Sequence, residues 1–154
     1  MRPWTLFGCL AAAMAGCDGG GNGSDGVEPT AAMVVEPDYV RVDHILVAVK
    51  SDGMTQIKRT AAQAEKLAKE IMAKLKAGED WAKLKAAYSD DKTGAASYPM
   101  NNDGAPKREG DFPRKDMAPA FGEVSFKLKV GELGMTAYNA QLSPFGYHII
   151  KRTE

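Results

Sequence analysis

Cysteine is scarce in this 154-residue chain, which holds only Cys9 and Cys17, and histidine is equally scarce, with only His44 and His148. So few thiols exclude a disulfide scaffold and a cysteine-rich metal cluster. A run of 18 or more apolar residues is lacking, so nothing reads as a permanent spanning helix. Charge of one sign is not in excess, with 20 basic against 20 acidic side chains. That balance argues against nucleic acid as a partner, because neutralising phosphates needs a concentrated basic surplus. There is no P-loop for a nucleotide and no internal repeat. What remains is an ordinary globular composition, 44% hydrophobic, in a length suited to one domain.

The N-terminus has a character of its own. Arg2 gives a short positive start, and Trp4 to Ala15 carries no charge. This run has the length of a signal-peptide core and is too short to cross a bilayer. It ends in Met14-Ala15-Gly16-Cys17, which resembles the lipobox of bacterial lipoproteins, although leucine is usual where Met14 stands. In such proteins the thiol receives diacylglycerol and cleavage leaves the cysteine first. The expectation is a lipoprotein signal over 1–17, lipidation at Cys17 and loss of Cys9. The mature chain then has one cysteine and no internal disulfide. The alternative is a plain secretory leader with an incidental cysteine. Residues 18–38, rich in Gly, Ser, Asn, Asp and Pro (GGGNGSDGVEP), read as a flexible tether. An ordered domain is expected over 39–154.

Within that domain, alternation from Val40 to Val49 predicts a strand, apolar on both faces in its second half and so central. Thr60 and Gln63 have capping-box spacing. Ala64, Leu67, Ala68, Ile71, Met72 and Leu75 then form one apolar helical stripe that stops near Gly78. Asp80 is placed to cap a second helix carrying Trp81, Leu84 and Tyr88. The stretch from Asp90 to Gly110 reads as loop, Met117 to Val124 as a short helix with Pro119 in its first turn, and Val130 to Gly134 as a turn. A last strand runs from Phe145 to Lys151, with His148 and Ile150 on one face. The sum is an α+β domain, a small, mostly antiparallel sheet covered by helices.

Four segments in this order, VRVDHILV, LKAGEDWAKLKAAYSDD, MAPAFGEVSFKLKVGELG and FGYHIIKRTE, resemble a parvulin-type peptidyl-prolyl cis/trans isomerase over residues 40–154. The resemblance implies a four-stranded, mostly antiparallel sheet surrounded by helices, with a groove on one sheet face. It places the family's two strand histidines at His44 and His148, its central polar residue at Asp91, and its hydroxyl before the last strand at Ser143. It puts the proline pocket at Phe112, Met117 and Phe121. The chain departs from the compact pattern by roughly ten extra residues between Asp91 and Gly110, around Ala95–Arg108, where a flap over the groove is the expectation. Phe112 and Pro113 also replace smaller residues.

An isomerase of this kind needs no metal and no other cofactor, since no bond breaks. Its partners are proline-containing, unfolded or extended polypeptides, and the resemblance with the lipobox gives a monomer in the bacterial envelope, held to a membrane by lipid. Lys50, Lys58 and Arg59 flank the first loop, where some relatives bind phosphate. Ala48 stands where those relatives carry a lysine, which favours general over phosphorylated substrates. Two other functions share these residues. One is a non-catalytic chaperone module that holds peptides in the same apolar groove. The other is an iron site built from two histidines and one carboxylate.

Overall fold

The computed structural model describes residues 35–51, 55–93 and 95–154. The leader, Cys17 and most of the tether lie outside the described residues.

Strand β1 (Tyr39–Ala48) is the spine of the domain. Its side chains alternate between two cores. Ile45 and Val47, continued by Val49, pack under the helical layer, whereas Val40 and Val42 face the other side. Two helices follow. In α1 (Ala61–Lys76) the capping box forms as expected, with the Thr60 hydroxyl accepting from the Gln63 N–H and the Gln63 side chain accepting from the Thr60 N–H. Its stripe buries Ala64, Ala68 and Ile71 against the sheet. Asp80 caps α2 (Trp81–Tyr88) through the Lys83 N–H at 2.8 Å. The Trp81 indole reaches across to the Asp43 carboxylate at 2.6 Å, which ties α2 to β1.

The stretch read as loop contains a strand. Tyr98–Asn101 forms β2, which pairs antiparallel with β1 in the register Val42↔Tyr98 and Val40↔Met100. The lengthened segment is therefore part of the sheet and not a flap. Met100 is fully buried, which is the physical reason: the extra residues cover a sheet edge with apolar surface. Pro99 within the run argued against a strand, as proline does away from edges. After it, the chain folds back on Tyr39, whose hydroxyl donates to the Pro106 carbonyl at 2.9 Å while Arg108 stacks on its ring.

The two-residue strand β3 (Phe112–Pro113) pairs parallel with β2. A single 3-10 turn, Arg114–Asp116, leads into α3 (Pro119–Lys127), with Pro119 in the first turn. The segment read as a turn after α3 supplies β4 (Leu133–Met135), and β5 (Gly146–Arg152) closes the domain. The sheet order is β3-β2-β1-β5-β4. The expected four antiparallel strands are β2-β1-β5-β4, and β3 adds a short parallel fifth at the margin.

At the start of β5, Gly146 has φ of 148°, and a Cβ there would lie 2.3 Å from the Val47 carbonyl oxygen. Only glycine lets the two central strands meet this closely two residues before His148. At the other end, contact with the domain begins before Tyr39. The Glu36 carboxylate pairs with Arg114, and the Asn102 side chain donates to the Pro37 carbonyl at 3.1 Å.

Candidate active site

Strands β1 and β5 set the floor of a groove on the sheet face opposite α1. Their register pairs Leu46 with His148 and His44 with Ile150, so the two histidines are diagonal neighbours on one face. Their rings stack with centroids 5.2 Å apart, and their Nδ1 atoms are 3.1 Å apart. Each residue is only 5% exposed.

Asp91 arrives from the segment after α2, which is pinned along β1. The Ser89 hydroxyl accepts the Leu46 N–H at 3.2 Å, and the Asp90 N–H donates to the Leu46 carbonyl at 2.8 Å. The Asp90 carboxylate accepts the Ala48 N–H at 2.9 Å and Arg59 Nη1 at 2.7 Å. These bonds carry Asp91 to His44, where Oδ2 lies 2.9 Å from Nε2. Tyr98 Oη donates to the same oxygen at 2.9 Å, and the Thr93 N–H donates to Oδ1 at 2.9 Å.

The protons in this network can be placed. Burial works against ionisation of Asp91, but the donors from Thr93, His44 and Tyr98 together outweigh it and hold the carboxyl well below the usual carboxylate range. An ionised carboxylate only accepts, so His44 Nε2 carries a proton. Burial pushes the His44 imidazole down despite the pull of Asp91, so the ring is neutral near pH 7 and its Nδ1 is an acceptor. The proton between the two Nδ1 atoms then belongs to His148. That ring too is pushed down, by burial first and by its neighbour His44 second. The result is a directed chain from Asp91 through His44 to His148. It ends in a bare lone pair on His148 Nε2, a buried atom without a hydrogen-bond partner among the described residues.

Because Asp91 and His148 bond opposite nitrogens of His44, the three groups do not converge on one point. Among the described residues no group of three or more His, Cys, Asp or Glu is arranged to hold a metal. The arrangement is a polarised floor, not a ligand set.

The groove above it holds about 520 Å³. Phe121, from α3, stands edge-on to both histidine rings at 5.2 Å. Met117, Ala118, Leu46, Tyr98 and Phe145 complete an apolar lining. The structure thus brings together His44, His148, Asp91, Met117 and Phe121. Two other expected residues stand apart. Phe112 is 43% exposed on the marginal strand β3 and packs its ring against Tyr98 at 5.6 Å without lining the groove. Strand β2 lies between β3 and β1, so Tyr98 takes the wall position expected for Phe112.

Ser143 is fully buried and does not line the groove either. Its hydroxyl donates to the Gly146 carbonyl at 2.7 Å and accepts from Thr136 Oγ1 at 3.3 Å. Thr136 Oγ1 in turn accepts the His148 N–H at 3.0 Å. This hydroxyl pair sets the backbone of His148 and makes no contact with the groove.

Sequence reasoning did not single out Tyr98, Thr93, Thr136, Leu46 or Phe145. Only Tyr98 had a local signal, an aromatic alternating with Met100, and Pro99 obscured it.

Comparison with known proteins places this architecture. The PPIC-type PPIASE domain family matches residues 30–154. The chain belongs to that family, the parvulin-type peptidyl-prolyl cis/trans isomerases. It is 43% identical over 90 residues to Foldase protein PrsA of Geobacillus kaustophilus, covering 58% of this chain and 28% of that protein. Foldase protein PrsA of Bacillus subtilis is 34% identical over 115 residues, covering 75% and 30%. Chaperone SurA of Hahella chejuensis is 36% identical over 123 residues, covering 78% and 23%. The chain therefore spans less than a third of the length of these relatives. A solved PpiC-type peptidyl-prolyl cis-trans isomerase domain overlays on 75% of this chain and 89% of its own, with a TM-score of 0.46 and 17% identity.

Proposed function

We propose that this protein catalyses cis/trans isomerisation of X–Pro bonds in unfolded or extended polypeptides outside the cytoplasm, and so assists the folding of exported proteins. The observation that carries the reading is the apolar groove of Met117, Phe121 and Tyr98 set directly on the Asp91–His44–His148 floor. Rotation about a peptide bond faces a barrier of roughly 18–20 kcal/mol because resonance makes C–N partly double. For X–Pro this means tens of seconds without a catalyst. At the twisted geometry the nitrogen recovers its lone pair and the carbonyl oxygen loses negative charge.

A site that binds the twisted amide better than the planar one accelerates the rotation. Phe121 and Met117 give the proline ring a dry, shaped seat. Dryness favours the less polar twisted carbonyl, and the ionised Asp91 disfavours the negative oxygen of the planar form. Neither histidine needs to exchange a proton with substrate, which agrees with their burial and neutrality. The electrostatics also bear on substrate class. Arg59 and Asp90 neutralise each other, while Lys50 and Lys58 do not line the groove, whose other charged lining among the described residues is Asp91 and Asp116 against Lys92. That balance supports general proline substrates over phosphorylated ones.

The envelope part of the proposal rests on the sequence: a leader over 1–17, lipidation at Cys17, a tether over 18–38 and a monomeric domain over 39–154. The isomerase part is tested by a protease-coupled assay on a short proline peptide with the whole chain, where an uncatalysed rate would leave only a peptide-holding chaperone. For the anchor, mass spectrometry and fractionation of cells expressing wild type and Cys17→Ser decide. A diacylated, membrane-bound wild type and an unlipidated variant are expected, and an unmodified soluble wild type would refute the anchor.

A further inference from the structure

Tyr98 lies in the segment that lengthens this chain, and it meets His44, Asp91 and Phe121, three of the groups that the isomerase reading uses. Its register opposite Val42 sets it diagonal to His44 on the groove face of the sheet. Its ring meets the His44 ring edge-on at 5.0 Å and the Phe121 ring at 6.0 Å. Its hydroxyl lies 2.9 Å from Asp91 Oδ2, the oxygen that also takes the His44 Nε2–H.

The direction of that bond is fixed, because the carboxylate has no proton to give. The phenol donates to Asp91, and Thr93 Oγ1, 2.9 Å from Tyr98 Oη, donates to the phenol. Asp91 Oδ2 is thus held between one donor from β1 and one from β2. The carboxylate has no freedom to swing away from His44 without breaking the Tyr98 bond. The ring of the same residue fills the wall beside Phe121.

We propose that Tyr98 is a positioning residue of the isomerase site, whose hydroxyl fixes the Asp91 carboxylate against His44 while its ring forms the third wall of the proline seat. The proposal rests on the isomerase reading and deepens it. Two roles in one side chain make two separable predictions. Losing the hydroxyl alone weakens the interaction that discriminates twisted from planar amide and lowers kcat. Losing the ring as well opens the seat and raises KM.

The experiment compares the whole chain as wild type, Tyr98→Phe and Tyr98→Leu, each confirmed folded by circular dichroism. Carboxyl NMR follows the titration of Asp91, and line-shape or exchange NMR gives kcat and KM on a proline peptide. In Tyr98→Phe the Asp91 midpoint should rise by at least about half a unit, through loss of a donor to the charged form. Its kcat should fall about fivefold or more with KM changed by less than about twofold. Tyr98→Leu should show the same Asp91 shift with KM raised in addition, and it serves alone if the phenylalanine variant does not fold. An unchanged Asp91 midpoint, or a shifted midpoint with wild-type kcat, overturns the proposal. Absence of isomerase activity in the wild type overturns the isomerase reading instead, and the Asp91 titration still reports whether Tyr98 holds the carboxylate.

Discussion

Lowering the pH from 7 to 5 should destabilise this domain well before its carboxylates titrate. The native His148 ring is pushed down to about 3 from an ordinary value of 6.5, by burial and by His44. In the unfolded chain the same ring takes up a proton near pH 6.5. Between these values the unfolded state binds more protons than the native state, so stability falls as pH falls. Each pH unit below the unfolded value costs about 1.4 kcal/mol per histidine kept neutral. At pH 5 His148 alone therefore removes about 2 kcal/mol, and His44 acts in the same direction. Asp91 contributes the other way round in cause but with the same sign. Its native carboxyl is held low, so its contribution is full above about pH 4 and is lost only as pH falls further. Against a typical 5–15 kcal/mol of total stability, a loss of 2 kcal/mol or more is easily measured. Urea unfolding at pH 7, 6 and 5 is the assay, with the midpoint expected to drop steadily and the slope m to stay constant. A midpoint that is flat or rises between pH 7 and 5 would refute the neutral buried pair.

Other outcomes follow from the same geometry. Since both rings are neutral and rotation needs no net proton transfer, kcat/KM should vary by less than about twofold between pH 6 and 8. A step in that window, removed by mutating one histidine, would give that histidine a direct role. Peptides phosphorylated on the residue before proline should turn over more slowly than their unmodified forms, because beyond the mutually neutralised Arg59–Asp90 pair the groove offers Lys92 against Asp91 and Asp116. Equal or faster turnover in a coupled assay would contradict this. Gly146→Ala should destabilise the domain by about 3 kcal/mol or more, since the new Cβ meets the Val47 carbonyl at 2.3 Å. Near-wild-type urea unfolding would show that β5 can shift away from β1.

Much of this molecule was legible in the sequence because local patterns carried it. The capping box at Thr60 and Gln63, the apolar stripe from Ala64 to Leu75 and the doubly apolar end of β1 each encode their structure within a few turns or strand repeats. Alternation put His44 and His148 on two strands, and the parvulin resemblance supplied their place together at the site. The parts that were not legible depend on distant contacts. β2 carries Pro99 and is only four residues long, so its strand character exists only beside β1. β4 is a three-residue strand that needs β5 as its template. That displacement passed into the site. The family resemblance pointed to Phe112, while the neighbouring strand delivers Tyr98. Ser143 illustrates a different limit, because the resemblance located the hydroxyl but not its direction, which is set by Gly146 and Thr136.

The central claim is that an apolar seat on a polarised His–His–Asp floor accelerates rotation about X–Pro bonds. Phe121 tests it most directly, since its ring is 2% exposed as a residue and stands edge-on to both histidines. Phe121→Ala also removes core, at about 3–5 kcal/mol, so activity must be compared at a temperature where circular dichroism shows both proteins folded. Measured by protease-coupled turnover of a proline peptide, the account predicts clear catalysis by the wild type. It also predicts a loss of at least about tenfold in kcat/KM for folded Phe121→Ala, equal to roughly 1.4 kcal/mol of transition-state binding. Equal kcat/KM in the two folded proteins would contradict it.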